Sequence, residues 1–252
     1  MSSRTVSATA LAPLPEVRAG DDLAALVLAA APDGLRDGDV LVVAHKVVSK
    51  AEGRVRRLDE VAPDQRAQAL AAEHDKDPRM VQVVLDETTE LVRAERGVLI
   101  CRTHHGFVCA NAGVDASNTP DDETVVLLPR EPDASARALR AALRESTGAR
   151  LAVVVADSFG RAWRHGQADV AIGCAGLAPL EDWRGRVDAR GRELRATWIA
   201  IADEAASAAD LARSKDSRQP AVLVRGLEAH VTEEDGPGAL ALVRPPEEDL
   251  FR

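Results

Sequence analysis

The sequence has no tyrosine and few other aromatic residues, with three phenylalanines and three tryptophans among 252 residues. Surfaces that hold single-stranded nucleic acid stack bases on aromatic side chains, so this scarcity argues against such a surface. Acidic residues outnumber basic ones by 41 to 32, and the formal charge of -9 would repel a polyanionic backbone. We therefore expect no nucleic-acid partner, and a core built mostly of aliphatic side chains.

Long apolar runs are also missing. No stretch reaches the roughly 18 apolar residues of a membrane span, and the N-terminal segment lacks the apolar run of a signal peptide. We expect a cytoplasmic protein with no membrane segment. The three cysteines, Cys101, Cys109 and Cys174, show neither CxxC spacing nor a companion histidine cluster. This pattern predicts reduced, buried thiols rather than a zinc site.

The arrangement of apolar residues predicts both helices and strands. Helical spacing and start signals predict helices at 21–31, 63–75, 78–87, 133–146 and 203–214. Short apolar runs predict strands at 40–45, 98–101, 107–110, 125–128, 151–156, 170–176, 196–202 and 221–226. Because these elements do not alternate regularly, the predicted fold class is α+β, with mixed sheets and flanking helices.

The length of the chain allows one domain over residues 1–252, or two lobes within it. The segment 227–252 is rich in Glu, Gly and Pro. We expect it to be a C-terminal extension that is either a surface excursion or a loosely held end.

The first segment that indicates chemistry is HKVVSK at 45–50, directly after an apolar strand. The chain has 28 arginines but only four lysines. It is therefore unusual for this chain that two of the lysines, Lys46 and Lys50, lie in one short segment. A lysine ammonium is a compact charge suited to phosphate. The alternative is that both are solvated surface lysines. The chain contains neither a GxxxxGK[ST] nor a GxGxxG motif, so neither standard nucleotide loop is present.

A second segment, HHGFVCANAGVDASN at 104–118, surrounds Asp115 and Asn118 with small residues. Small side chains let a ligand approach the backbone, and these two residues offer the oxygen donors that Mg²⁺ or Mn²⁺ prefers. A turn closed by an Asp or Asn side chain is the alternative. Neighbouring side chains on a strand point to opposite faces, so His104 and His105 are not expected to chelate one ion together.

A third segment runs from 153 to 173, where an apolar strand ends in Asp157 and Ser158. Arg161 and Arg164 follow and could bind phosphate or carboxylate groups. Polar residues that only cap a strand are the alternative. If Asp115 and Asp157 converge on a cation while basic side chains neutralise phosphates, phosphoryl chemistry explains the three segments together.

These segments resemble one known family. The motifs LPEVRAGDDL, GDVLVVAHKVVSKAEGRV, GFVCANAGVDASN, LLPREPDASAR, ADSFGRAWRHGQADVAIG, GREL and PAVLVRG occur in order over about residues 11–226 and resemble the coenzyme F420-0:L-glutamate ligases. The resemblance implies addition of L-glutamate to coenzyme F420-0 through a γ-glutamyl amide linkage, with GTP as co-substrate and an acyl-phosphate intermediate. It also implies two Mg²⁺ or Mn²⁺ ions, with K⁺ as a further candidate, and an F420-gamma-glutamyl-ligase-like fold in an intertwined homodimer.

The resemblance also assigns roles to individual residues. The nucleotide contacts that it implies are Leu14, Pro15, Glu16, Val17, His45, Lys46, Lys50 and Asn118. It implies metal ligands at Asp115, Asp157 and Ser158, and a catalytic, charge-neutralising role for Lys50 and Arg161. The loop at 212–219 departs from the family, because Ser214 stands at an acidic position. Either Asp216, water or the nucleotide phosphates complete the second metal site here, or Lys215 replaces part of the ion's charge by contacting phosphate directly.

Two other functions remain open from the residues. One is a different NTP-dependent carboxylate-amine ligase or kinase, which would keep the same metal and nucleotide residues. The other is a noncatalytic protein that binds a nucleotide or a deazaflavin. Product formation separates the three.

Overall fold

The fold is described here from a computed structural model that covers residues 5–249. The strands are β1 (Ser7–Ala10), β2 (Val40–Ala44), β3 (Val55–Arg57), β4 (Thr88–Glu95), β5 (Val98–Thr103), β6 (Val108–Ala110), β7 (Thr124–Val126), β8 (Ala152–Arg161), β9 (Arg164–Ala175), β10 (Glu181–Asp182), β11 (Trp198–Ile199) and β12 (Ala221–Arg225). The α-helices are α1 (Leu23–Ala30), α2 (His45–Ala51), α3 (Gln65–His74), α4 (Pro78–Asp86), α5 (Pro132–Thr147) and α6 (Ile201–Leu211).

A five-stranded sheet in the order β1-β12-β2-β8-β9 forms the centre of the fold. Strands β2 and β8 run parallel, and the other neighbours are antiparallel. Residues of β2 alternate between two hydrophobic clusters. Leu41 and Val43 pack with residues of α1 and α5, whereas Val40 and Val42 pack with residues of α6. Helices cover both faces of the sheet, which explains why the β2 sequence is continuously apolar.

A second region packs around its own hydrophobic cluster. It contains the three-stranded sheet β4-β5-β6, the antiparallel pair β3–β7, and helices α3 and α4. The buried side of α4 is formed by Val81, Val83 and Val84. Together with the short β10–β11 ribbon, this region confirms the predicted mixed α+β class.

Several helix starts follow the chemistry that predicted them. Asp22, Asp64 and Asp77 each accept a hydrogen bond from a backbone N–H in the first turn of α1, α3 and α4. Such caps satisfy donors that have no partner within the helix. Pro78 stands at the first helical position, where its missing N–H costs nothing. The predicted helices at 21–31, 63–75 and 78–87 are therefore confirmed, with ends that differ by at most two residues.

Two predictions at strand ends were wrong. The strand predicted at 40–45 stops at Ala44, because His45 begins helix α2, which was not predicted. The run at 196–202 forms only the two-residue strand β11, and helix α6 already begins at Ile201. The alanines and isoleucines of this short run fit the apolar side of a helix as well as they fit a strand, so the pattern does not distinguish the two.

The prediction of a loosely held C-terminal segment was wrong for its described part. Val231 and Ala239 are buried. The buried carboxylate of Asp133 accepts a hydrogen bond from the backbone N–H of Ala239. The buried guanidinium of Arg140 donates to the Asp235 carboxylate and to two backbone carbonyls of the same segment. Side chains of α5 therefore bind this segment through hydrogen bonds and an ion pair. Its Gly- and Pro-rich composition gave no sign of these contacts.

The cysteines behave as predicted. All three are buried, free thiols. Burial raises the pKa of Cys109 and of Cys174 to about 12, so both stay protonated at neutral pH. Within the described part of the chain, no helix is long and apolar enough to cross a membrane.

Candidate active site

One large cleft, of about 700 Å³, opens at the edge of the central sheet. Thirteen of the fifteen site residues predicted from the sequence line it: Leu14, Pro15, Glu16, Val17, His45, Lys46, Lys50, Asp115, Asn118, Asp157, Ser158, Ser214 and Lys215. They come from five separate segments of the chain. The structure therefore brings together residues that lie far apart in the sequence.

The parallel pair β2–β8 explains the position of the cleft. Ala44 at the end of β2 pairs with Ala156 in β8, so His45 and Asp157 follow side by side. Ligands of α/β sheets bind outside the carboxyl ends of parallel strands. The Nε2 atom of His45 lies 3.3 Å from Oδ1 of Asp157. His45 is only 1% exposed, and its Nε2 has no hydrogen bond that meets normal geometry.

Helix α2 places two ammonium groups in the cleft. Lys46 and Lys50 are four residues apart, so they lie on one side of the helix. The Lys46 ammonium donates to Oδ2 of Asp115 at 2.7 Å and to Oγ of Ser117 at 2.5 Å. The Lys50 ammonium donates to Oε1 of Glu16 at 2.6 Å and to a backbone carbonyl of the 115–118 loop at 2.8 Å. The alternative of two solvated surface lysines is wrong, because both side chains are largely covered and paired.

These contacts set the charge of Asp115. Burial raises the pKa of Asp115, but hydrogen bonds from the Lys46 ammonium and from the backbone N–H of Ser117 outweigh it, and the net pKa lies below its ordinary value. Asp115 is therefore an anion at neutral pH. The hydrogen bond from the Ser117 N–H to the Asp115 side chain closes a turn, as the alternative interpretation of this segment predicted. Asp115 therefore both closes this turn and lines the cleft.

The opposite wall contains a residue that the sequence analysis missed. Asp169 on β9 pairs in register with Ser158 on β8, and its side chain is completely buried. Its Oδ1 accepts the Ser158 hydroxyl proton at 2.6 Å, and its Oδ2 accepts a hydrogen bond from Arg213. Arg213 was missed too. The available signal was an acidic residue inside the HGQADVAIG motif, where β9 becomes buried.

Lys215 reaches this wall from the segment after α6. Its ammonium donates to Oγ of Ser158 at 2.9 Å and to Oδ1 of Asp210 at 3.1 Å. It also lies 3.8 Å from Oδ1 of Asp169. Three oxygen atoms of the protein therefore surround one ammonium group.

Two predicted residues do not line the cleft. Arg161 lies at the exposed end of the β8–β9 hairpin and donates to the backbone carbonyl of His165. Asp216 is exposed in the turn after Lys215. Their predicted roles stay predictions.

The histidine pair needs a correction. His104 and His105 lie in the turn after β5 rather than on a strand, and their ring centroids are 3.7 Å apart. The argument that they point to opposite faces was therefore wrong. His105 is close to backbone carbonyls at 129 and 130, and burial lowers its pKa.

The cleft supplies only a few protein ligands for a divalent ion. Within residues 5–249, no group of three or more His, Cys, Asp and Glu side chains is arranged to hold a metal ion. Asp115 and Asp157 nevertheless supply the hard anionic oxygens that Mg²⁺ and Mn²⁺ prefer. Among the described residues, Asp157 has no lysine or arginine within ion-pair distance, so its charge is still available. The residues fit an ion that keeps most of its ligands as water or phosphate oxygen.

The balance of charge in the cleft differs from that of the whole chain. Its lining contains five lysines and arginines and four acidic residues, although the chain carries -9. Cations are thus concentrated at this edge of the sheet. Such a cleft, with paired carboxylates and several ammonium groups, is typical of an enzyme that handles phosphates with a divalent ion.

Comparison with known proteins gives the family. The model of the family described as F420-0:Gamma-glutamyl ligase matches residues 12–226. A protein named coenzyme F420:L-glutamate ligase from Methanothermobacter thermautotrophicus is 44% identical over 243 residues, which cover 95% of this chain and 96% of that protein. Proteins of the same name from Methanopyrus kandleri and Haloarcula marismortui are 46% and 43% identical, over 94% and 95% of this chain and 94% and 93% of their own lengths.

The chain therefore belongs to the F420-0:gamma-glutamyl ligase family, and it is an enzyme of the ligase class. The family resemblance inferred from the sequence motifs is confirmed. The matched range 12–226 contains every residue that lines the cleft.

Proposed function

We propose that this enzyme joins L-glutamate to coenzyme F420-0 in coenzyme F420 biosynthesis, with GTP as the source of energy. The observation that carries the proposal is the convergence of thirteen predicted site residues on one cleft in a chain that belongs to this family. The relatives that cover almost the whole chain are named for the same ligation.

The reaction has two balanced steps. A carboxylate oxygen of F420-0 attacks the γ-phosphorus of GTP, and the bond to GDP breaks, which gives an acyl phosphate. The amine nitrogen of glutamate then attacks the acyl carbon. The carbon–oxygen bond to phosphate breaks, the nitrogen loses a proton, and the amide and free phosphate remain.

The residues of the cleft have separate tasks in this scheme. Lys46, Lys50 and Lys215 offset negative charge on the phosphates, because a compact ammonium can approach an oxygen closely. The loop at Leu14–Val17 closes the side of the cleft next to Lys50. Buried His45 places its Nε2 atom 3.3 Å from Oδ1 of Asp157, next to this proposed metal ligand.

Asp115 and Asp157 would hold Mg²⁺ or Mn²⁺, and K⁺ is a further candidate ion. A bound divalent ion neutralises charge on the phosphates as the phosphoryl group transfers. Lys46 already pairs with Asp115 at 2.7 Å, so Asp115 would be shared between the ammonium and an ion, whereas no lysine or arginine pairs with Asp157 among the described residues.

We also propose that the chain forms a homodimer in the cytoplasm. Trp163 and Leu211 are 80% and 90% exposed, and burying them against a second copy would remove apolar surface from water. These exposures support an interface between two copies.

Turnover tests the function directly. The purified chain is incubated with GTP, Mn²⁺, L-glutamate and F420-0, and the mass of the deazaflavin product is followed together with phosphate release. We expect the mass of the deazaflavin product to increase by one glutamyl residue. One phosphate should be released for each amide formed. Reactions that omit glutamate, or that contain Lys50→Ala, serve as controls.

The alternatives give different results. Product formation with another phosphorylated carboxylate, but not with F420-0, would identify a different NTP-dependent ligase. Binding of GTP or F420-0 without any product would identify a noncatalytic binding protein. Either result would refute the proposed function.

A further inference from the structure

The lysines of this chain are concentrated in the cleft. Lys46, Lys50 and Lys215 line it, and Lys76 is the only other lysine of the sequence. The remaining 28 basic residues are arginines. An ammonium group is smaller than a guanidinium and more like a simple cation. This distribution indicates that the cleft uses lysine for a purpose that arginine does not serve.

Lys215 stands apart from the other two because it comes from the opposite wall. Its ammonium is surrounded by oxygens of Ser158, Asp169 and Asp210 at 2.9, 3.8 and 3.1 Å. Ser158 donates its own proton to Asp169, so its lone pairs are free to accept from the ammonium. We name Ser158, Asp169 and Asp210 the cation seat.

The charges at the cation seat are already balanced. Asp169 and Asp210 carry two negative charges, while Arg213 and Lys215 carry two positive charges. A divalent ion bound to Ser158 would meet the ammonium of Lys215 at the same oxygens, and like charges repel. Asp157, by contrast, has no lysine or arginine partner within the described chain. The cleft thus has charge available for an ion at Asp157 but not at Ser158.

We propose that the Lys215 ammonium is the built-in second cation of the active site, and that the enzyme works with one divalent ion. The resemblance to the family implied two ions, with Ser158 as a ligand, and the residues present do not fit a second ion while Lys215 occupies the cation seat. The inference rests on the proposed use of GTP. Lys215 lines the cleft and its side chain is 70% exposed, so its ammonium can contact a phosphate while it stays bonded to Ser158 and Asp210.

The first experiment counts ions. Wild type is titrated with Mn²⁺ in the presence of a nonhydrolysable GTP analogue, and free Mn²⁺ is measured by electron paramagnetic resonance. We expect one tight Mn²⁺ per chain. Two tight ions per wild-type chain would overturn the proposal.

The second experiment removes the ammonium. Lys215→Ala should weaken binding of the GTP analogue by roughly ten- to a hundredfold, because a charge-assisted hydrogen bond is lost. Ammonium or K⁺ ions should restore part of that affinity by entering the cation seat, whereas tetramethylammonium at equal ionic strength should not. Lys76→Ala, outside the cleft, is the matched control and should bind like wild type.

The outcomes separate this inference from the proposed function. A wild-type chain that binds the GTP analogue with one Mn²⁺ but forms no product contradicts the proposed function alone. Unchanged affinity in Lys215→Ala, or no rescue by either small cation, contradicts the role of Lys215 even if turnover is normal. A wild-type chain that does not bind the GTP analogue contradicts both.

Discussion

Replacing Asp169 by asparagine should destabilise the protein strongly. Asp169 is completely buried, and Arg213, which pairs with it, is itself only 10% exposed. Removing one member of a buried ion pair leaves the other charge unpaired away from water, which costs about 3 kcal/mol or more. For a chain of this size, this lowers Tm by roughly 6–12 °C. The same change disturbs Ser158, whose hydroxyl is bound to Asp169.

The assay is urea unfolding of Asp169→Asn, followed by circular dichroism. Asp182→Asn is the matched control, because Asp182 pairs with Arg184 on the surface and such exposed pairs contribute less than about 1 kcal/mol. The double variant Asp169→Asn/Arg213→Met should be less destabilised than the sum of its single changes, since the unpaired guanidinium is gone. Equal losses in Asp169→Asn and Asp182→Asn, or strict additivity in the double variant, would refute the reasoning.

Four further predictions concern activity, pH and assembly. Asp115→Asn and Asp157→Asn should each abolish metal-dependent turnover with the circular dichroism spectrum unchanged, and full activity in both would remove the metal assignment. Lys50→Ala should raise the Kd for GTP, measured by calorimetry, by at least about tenfold, with Lys50→Arg only a partial rescue; an unaltered Kd would contradict its role. Lys46 helps to keep the pKa of Asp115 in the folded state low. The Lys46–Asp115 contact therefore contributes fully to stability above the unfolded pKa of about 4, and this contribution is lost as pH falls through the lower folded pKa. The difference in unfolding free energy between wild type and Lys46→Ala, measured by urea unfolding, should shrink between pH 6 and roughly pH 3. Light scattering should give twice the chain mass of 26.8 kDa, and a stable, active monomer would exclude the dimer.

Local sequence patterns predicted the elements whose packing is local. The apolar run of β8 and the Asp22 cap of α1 each lie within a few consecutive residues. Both elements were therefore predicted from the sequence. Helix α2 was missed because no side chain caps it at Ala44, and its two valines are typical of a strand.

The other failures depend on contacts between distant residues. Asp169 meets Arg213 across 44 positions, and Arg140 meets Asp235 across 95. No local pattern encodes such partners. The loops of the cleft were predicted because whole motifs resembled a family. Asp169 stands inside one of these motifs, but no local signal marked it as the partner of Ser158 and Arg213.

The order of strands in the central sheet also matters while the chain is being synthesised. β12, the last strand of the sheet along the chain, lies between β1 and β2. Until the ribosome has released residues 221–225, the apolar edge of β2 has no neighbour on that side, and it can pair with other nascent chains. The wall that contains Lys215 precedes β12 directly. A ribosome-bound chain that lacks β12 therefore cannot have a complete cleft, which forms only after nearly all of the residues that line it have been synthesised.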